Sequence, residues 1–205
     1  MARRLIWTGQ ARQLPGNHFL FTKTFFASDM MKNFLILLVV LMLAGCTGAP
    51  PGGLQIVQNF DLQRYQGDWF EIARLDHRFE RGLSQVSANY TVQEDNSVRV
   101  TNRGFNENSQ EWEEAIGKAK FVAAPDQGAL KVSFFGPFYG AYNIVALDQE
   151  NYQWVMVTGP SYDYLWILAR QPTLDAVVYG RLVEIAANAG FAVDELIVVE
   201  HSPGG

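Results

Sequence analysis

Between Asp68 and Arg170 the chain falls into eight short segments of alternating apolar and polar residues, at 68–76, 84–93, 97–105, 111–122, 129–135, 140–147, 152–158 and 163–170. A period of two marks a strand with one buried face, because successive side chains leave a pleated backbone on opposite sides. Turn-forming residues separate the segments: Glu94-Asp95-Asn96, Asn106-Glu107-Asn108, Pro125-Asp126-Gln127-Gly128, Gly136-Pro137, Gln149-Glu150-Asn151 and Gly159-Pro160. Eight consecutive strands joined mostly by short turns predict an all-β fold, an eight-stranded up-and-down antiparallel barrel. Such a barrel leaves no exposed edge and can hold one small ligand. An immunoglobulin-like sandwich is the rival architecture. It would lack its inter-sheet cysteines here and would not account for the segment after the eighth strand.

That segment is predicted to be a helix over Thr173–Ala189. Pro172 precedes it, Thr173 can cap its first turn, Asp175 favours the positive end of the helix dipole and Gly190 stops it. Leu174, Val177, Val178, Leu182, Ile185 and Ala189 recur at helical spacing, a stripe expected to pack on the outside of the barrel. Residues 196–199 read as a short apolar closing segment and 201–205 as a loose tail.

Upstream of the strands lies the only cysteine, Cys46. A lone cysteine forms no intramolecular disulfide, so its purpose lies elsewhere. Met31-Lys32, an apolar stretch from Phe34 to Met42 and the small residues before Cys46 are the three parts of a secretory signal. The stretch falls short of the about 20 apolar residues that span a bilayer. Leu43-Ala44-Gly45-Cys46 resembles the lipobox of bacterial lipoproteins. That resemblance implies cleavage before Cys46, diacylglycerol on its sulfur and an acyl group on its new amino terminus. Thr47, rather than Asp, follows the cysteine, which by analogy with lipoprotein sorting directs the anchor to the outer membrane, facing the periplasm. The expected division is therefore 1–30 as a mis-annotated or extended N-terminus, 31–45 as a lipoprotein signal peptide, 46–56 as a lipidated Pro/Gly tether and 57–200 as the folded domain.

From Cys46 onward the chain carries 11 basic and 20 acidic residues, a formal charge of −9. Phosphate backbones repel such a surface, so nucleic acid is excluded as a partner. No Gly-rich phosphate loop, Gly-x-Ser-x-Gly or HExxH string is present, and the histidines are too few and scattered for a metal site. Glu113 and Glu114 are adjacent on a strand and point to opposite faces, so they cannot work as a pair. The expectation is a binding protein with no cofactor, no metal and no enzymatic activity.

Gly67-Asp68-Trp69 opens the first strand and Arg170 ends the eighth. This resembles the lipocalin family, whose Gly-x-Trp motif opens the first strand and whose last-strand Arg covers that Trp. A guanidinium stacking on an indole at the closed end of a barrel is a favourable cation–π contact. The likeness extends to bacterial lipocalins and the apolipoprotein D branch. It is carried by Trp69-Phe70-Glu71-Ile72-Ala73-Arg74, Phe79-Glu80-Arg81-Gly82, Ala88-Asn89-Tyr90, Ser133 to Gly140 and Tyr164 to Arg170. One string departs: the turn after the sixth strand reads Leu147-Asp148-Gln149 where the family usually has Thr-Asp-Tyr. The resemblance implies a membrane-anchored carrier or store for a fatty acid or lysophospholipid, with family members able to form homodimers. The other class left open is a structural or stress-related envelope lipoprotein acting through protein contacts.

Strand parity suggests the lining. With Trp69 inward, Glu71, Ala73 and Leu75 follow it; Leu168, Trp166 and Tyr164 share the face of Arg170; Val86, Ala88, Tyr90 and Val98, Val100, Asn102 complete the wall. The resemblance also places Tyr90, Asn102 and Trp166 in the pocket. The ligand-facing set is Glu71, Tyr90, Asn102, Phe138, Tyr142 and Trp166, with Gly67, Trp69 and Arg170 structural. Phe79, Phe138, Tyr139, Tyr162 and Tyr164 approach the mouth, either as core packing or as a binding rim. Glu71, inside an apolar barrel, has to be paired or proton-bearing. It either meets an arginine at one end of the barrel or contacts a lipid head. Arg74, Arg78 and Arg81 lie near the mouth, either as an anion-holding set or as a solvated rim.

Overall fold

The computed structural model describes residues 48–202. Eight strands follow one another in chain order: β1 (Gly67–Arg74), β2 (Leu83–Val92), β3 (Val98–Asn106), β4 (Glu111–Phe121), β5 (Ala129–Phe135), β6 (Phe138–Leu147), β7 (Trp154–Thr158) and β8 (Leu165–Ala169). Each pairs antiparallel with the next, and β1 pairs with both β2 and β8, so the sheet closes into a barrel. A ninth short strand, β9 (Ile197–Val198), adds to the second half of β1.

The first strand explains why β9 has somewhere to go. β1 is paired with β2 only from Gly67 to Phe70, and a bulge between Glu71 and Ala73 then turns it away. An extra residue bends a strand and shifts the parity of everything beyond it. Glu71 therefore faces the interior, while Ile72, Ala73 and Leu75 pack outside the barrel, and Arg74 swings inward. The expectation that Ala73 and Leu75 line the interior is corrected by that bulge. Arg74 bridges the parted strands, donating from Nη2 to the carbonyls of Leu83 (3.0 Å) and Glu80 (3.1 Å).

Two cores result. One fills the barrel around Trp69, Tyr65, Tyr90, Val98, Val100 and Leu168. The other lies between the outer barrel face (Ile72, Met156, Leu165, Ile167) and a C-terminal helix (Leu182, Ala186, Ala189). That helix, α2 (Ala176–Asn188), starts later than Thr173. Asp175 is its cap, accepting from the backbone N–H groups of Val177 (2.9 Å) and Val178 (3.1 Å). Val177 is exposed, because the buried face runs through Val178, Leu182, Ile185 and Ala186 instead. Gly190 ends the helix at φ +95°, where a side chain would be strained.

The barrel is stoppered by a short helix, α1 (Leu62–Tyr65), capped by Asp61. Before it, the chain from Gly48 to Val57 lies on the barrel rather than hanging free as a tether. Leu54 packs into the helix-side core, and the Val57 N–H donates to the Ile144 carbonyl at 2.9 Å. The expected tail is also held at its start: His201 Nε2 lies 2.8 Å from the Glu71 carbonyl oxygen. Cys46 and residues 1–45 lie outside the described residues, as do residues 203–205.

Candidate functional site

The floor of the barrel is built from aromatic residues that hold one another. Trp69 is fully buried, and its indole N–H donates to the Tyr65 carbonyl at 2.8 Å. The Arg170 guanidinium lies 3.9 Å from the Trp69 ring centre and donates to the carbonyls of Asp68 and Arg64, each at 2.8 Å. Gly67 (φ +91°) brings the chain into β1 directly under that guanidinium, where a Cβ would sit 3.4 Å from Nη1. Three carbonyls, counting Tyr152 at 3.3 Å, and one ring satisfy Arg170, which makes it a clasp for the closed end.

Above the floor the Tyr142 hydroxyl lies 2.7 Å from that of Tyr65 and 2.8 Å from that of Tyr90. Burial keeps all three phenols well above their ordinary value, so each is neutral and carries its proton. Two hydrogen bonds use two of the three protons, leaving one O–H to donate elsewhere. An inner chamber of about 80 Å³ sits over these tyrosines, walled by Leu62, Val98, Val100, Ala119, Leu130 and Leu168. It opens into a vestibule of about 710 Å³ bounded by Phe79, Phe135, Phe138, Tyr139 and Tyr164. Glu80, Val86, Asn102, Val132, Phe134 and Trp166 border both spaces and form the neck between them. The Asn102 Oδ1 is buried there with no donor facing it.

One side of the neck carries charge. Arg74 Nη1 donates to Glu71 Oε1 at 2.6 Å, and both side chains are almost wholly buried. Trp166 Nε1 donates to Glu80 Oε2 at 3.2 Å. His77 Nε2 lies 3.1 Å from the same oxygen, close enough for attraction but not aligned for a hydrogen bond. Burial, and next the neighbouring charge of Glu80, push Glu71 well above the usual carboxylate range against the pull of Arg74. Burial opposes ionisation of Glu80 too, but its contacts with His77, then with Glu71 and Trp166, hold it below its ordinary value. The surroundings thus push the two carboxyls in opposite directions, Glu71 toward its protonated form and Glu80 toward its anion.

The structure brings Glu71, Tyr90, Asn102, Tyr142 and Trp166 around the inner chamber and Phe138 to the vestibule. Tyr162 is not part of the mouth; it packs edge-on against Phe191, 5.2 Å between ring centres. The three arginines do not form a set. Arg74 is buried on Glu71, Arg81 pairs with Asp76 at 2.6 Å, and Arg78 stacks 4.8 Å from the Phe79 ring. Sequence reasoning missed Tyr65, which precedes the first strand, and the roles of Glu80 and His77. The Asp61-x-x-x-Tyr65 spacing before Trp69 was the one signal for a capped turn there.

A closed antiparallel barrel with a stoppered floor, an apolar chamber and one aromatic mouth is a cup for a small apolar or amphipathic molecule. The sequence profile of the lipocalin-like domain matches residues 60–201, and the chain belongs to the lipocalin family. It is 46 % identical over 171 residues to the outer membrane lipoprotein Blc of Vibrio cholerae serotype O1, covering 83 % of this chain and 99 % of that protein. It is 49 % identical over 164 residues to the outer membrane lipoprotein Blc of Escherichia coli K12, covering 80 % and 92 %. Mouse apolipoprotein D is 28 % identical over 153 residues, covering 72 % and 80 %. Among solved structures, insecticyanin from the tobacco hornworm superposes with a TM-score of 0.58 at 21 % identity, covering 77 % of this chain and 86 % of that one.

Proposed function

We propose that the protein is an outer-membrane lipoprotein, anchored through Cys46, that binds and stores or transports a fatty acid or lysophospholipid in the bacterial cell envelope. The observation that supports this most is the two-part cavity, apolar along its walls with polar atoms at only a few points. Each buried methylene of an acyl chain contributes about 0.8 kcal/mol, so the walls supply most of the affinity. The relatives named outer membrane lipoproteins support the address. Membership of the lipocalin family supports binding as the work of the cup.

The polar points discriminate between the two ligand classes. Asn102 Oδ1 needs a donor; the glycerol hydroxyl of a lysophospholipid supplies one, and an ionised fatty acid does not. The spare O–H of the tyrosine chain needs an acceptor, which a fatty carboxylate supplies. Displacement of a fluorescent fatty acid from the purified protein tests this. A single saturable site at micromolar lipid is expected, and Trp166→Ala weakens it about tenfold by removing about 1.4 kcal/mol of wall contact. Asn102→Ala lowers affinity more for lysophospholipid, Tyr142→Phe more for fatty acid. Absence of displacement by either lipid overturns the reading.

A further inference from the structure

We infer that the cup is built for an acyl chain that carries its own hydroxyl groups, read by Asn102 at the neck and by the tyrosines at the floor. This deepens the reading above and rests on it, since a single-chain lipid has to occupy the cavity. A plain hydrocarbon chain needs no polar atom below the mouth. It also leaves every unpaired polar group there without a partner, which costs binding. In this barrel polar groups stand at two depths.

The first is Asn102 on β3, which borders both the inner chamber and the vestibule and whose Oδ1 is buried without a hydrogen-bond partner. Its ladder neighbours are Ala88 on β2 and Ala115 on β4, so neither can answer the amide. At the same neck, the Trp166 indole N–H is already engaged by Glu80. The missing partner has to come from the occupant. Half a turn about the last side-chain bond exchanges Oδ1 and Nδ2, and a hydroxyl, donor and acceptor at once, pairs with either. A methylene pairs with neither.

The second station lies deeper. Tyr90 stands opposite Val100 in the β2–β3 ladder, two residues from Asn102 toward the closed end, or about 7 Å along the strand. There the chain of Tyr65, Tyr142 and Tyr90 hydroxyls has one O–H more than it has internal bonds. A carboxylate accepts from that O–H only by leaving water and entering a chamber that Glu71 and Glu80 also line. A hydroxyl at the tail end accepts it uncharged. The carboxylate then stays in the vestibule, where Arg78 is among the lining residues. In a wholly apolar cup a chain hydroxyl weakens binding, because it gives up water and gains nothing. The two stations reverse that sign.

Competition against a fluorescent fatty acid on the purified full chain tests this with octadecanoate and its 2-hydroxy, 12-hydroxy and 18-hydroxy derivatives. With the tail at the floor, the 18-hydroxyl meets the tyrosines. The 12-hydroxyl, set back by about the spacing of the two stations, about 7 Å, is level with Asn102. The 2-hydroxyl remains in the vestibule. The 12-hydroxy and 18-hydroxy acids are expected to bind about tenfold more tightly than octadecanoate, and the 2-hydroxy acid within about twofold of it. Asn102→Leu should make the 12-hydroxy acid bind more weakly than octadecanoate while the 18-hydroxy acid keeps its advantage. Weaker binding of the 12-hydroxy and 18-hydroxy acids by the parent protein overturns the inference. So does an equal gain at all three hydroxyl positions, or a 12-hydroxy advantage that survives Asn102→Leu. The comparison of hydroxyl positions needs no substitution, so it decides the matter even if Asn102→Leu does not fold. Failure of all four acids to displace the probe overturns lipid binding itself, an outcome separate from these.

Discussion

Glu71 and Glu80 share one buried cation of fixed charge, Arg74, and the inequality between them has consequences for pH. Glu71 holds its proton more tightly in the fold than in the unfolded chain, where a glutamate titrates near 4.5. Its contribution to stability is complete below that range and is lost as pH rises through its raised folded value. Glu80 has the opposite sign: its contribution is present above the ordinary range and is lost as pH falls through its lowered folded value. Glu71→Gln imitates the protonated acid, so urea unfolding at about pH 5 and about pH 8 should show the decline at higher pH flattened. Glu80→Gln strips Trp166 and His77 of the anion they face and should cost about 2 kcal/mol at the higher pH. Equal losses for both substitutions would contradict the assignment. The need for Glu71 to be paired or protonated was legible in the sequence. Its partner was not, because Arg74 reaches it only across a bulge that strand parity ignores.

Helix α2 offers a cleaner comparison between two neighbouring residues that could each cap it. Asp175 accepts two backbone N–H groups and Thr173 accepts none in the first turn. Asp175→Ala should therefore lower stability by about 1 kcal/mol, while Thr173→Ala stays within about 0.5 kcal/mol of the parent, measured by thermal or urea unfolding. The strands were readable because a half-buried strand must alternate, and turn residues must punctuate a barrel made of hairpins. The bulge in β1 was not, since Ile72 and Ala73 are both apolar and suit either face. Val177 was misplaced for a related reason. Val177 and Val178 are identical residues, and only the seating of the helix on Met156 and Ile167 decides which of them is buried. Local pattern identified the elements, and packing between elements decided their phase.

At the scale of the molecule, the proposed function assigns address and binding to different parts of the chain. The described fold runs from Gly48 to Ser202, and both cavity chambers are lined by residues from Leu62 to Leu168. The described strands close the barrel and build its wall. Cys46→Ser should therefore move the protein from the membrane fraction to the soluble fraction, with melting temperature and fatty-acid affinity unchanged. The released protein carries a strongly acidic surface, with 20 acidic against 11 basic residues beyond the signal region. It should be repelled by anionic vesicles at low salt, and adding salt should reduce that repulsion without creating tight binding. The exposed Phe135 and Phe138 are too few to replace a lipid anchor, because a single weak membrane signal gives only reversible attachment. Vesicle flotation of the Cys46→Ser protein at two salt concentrations measures this directly. Tight, salt-resistant flotation would assign membrane attachment to the barrel and leave the cysteine without that role.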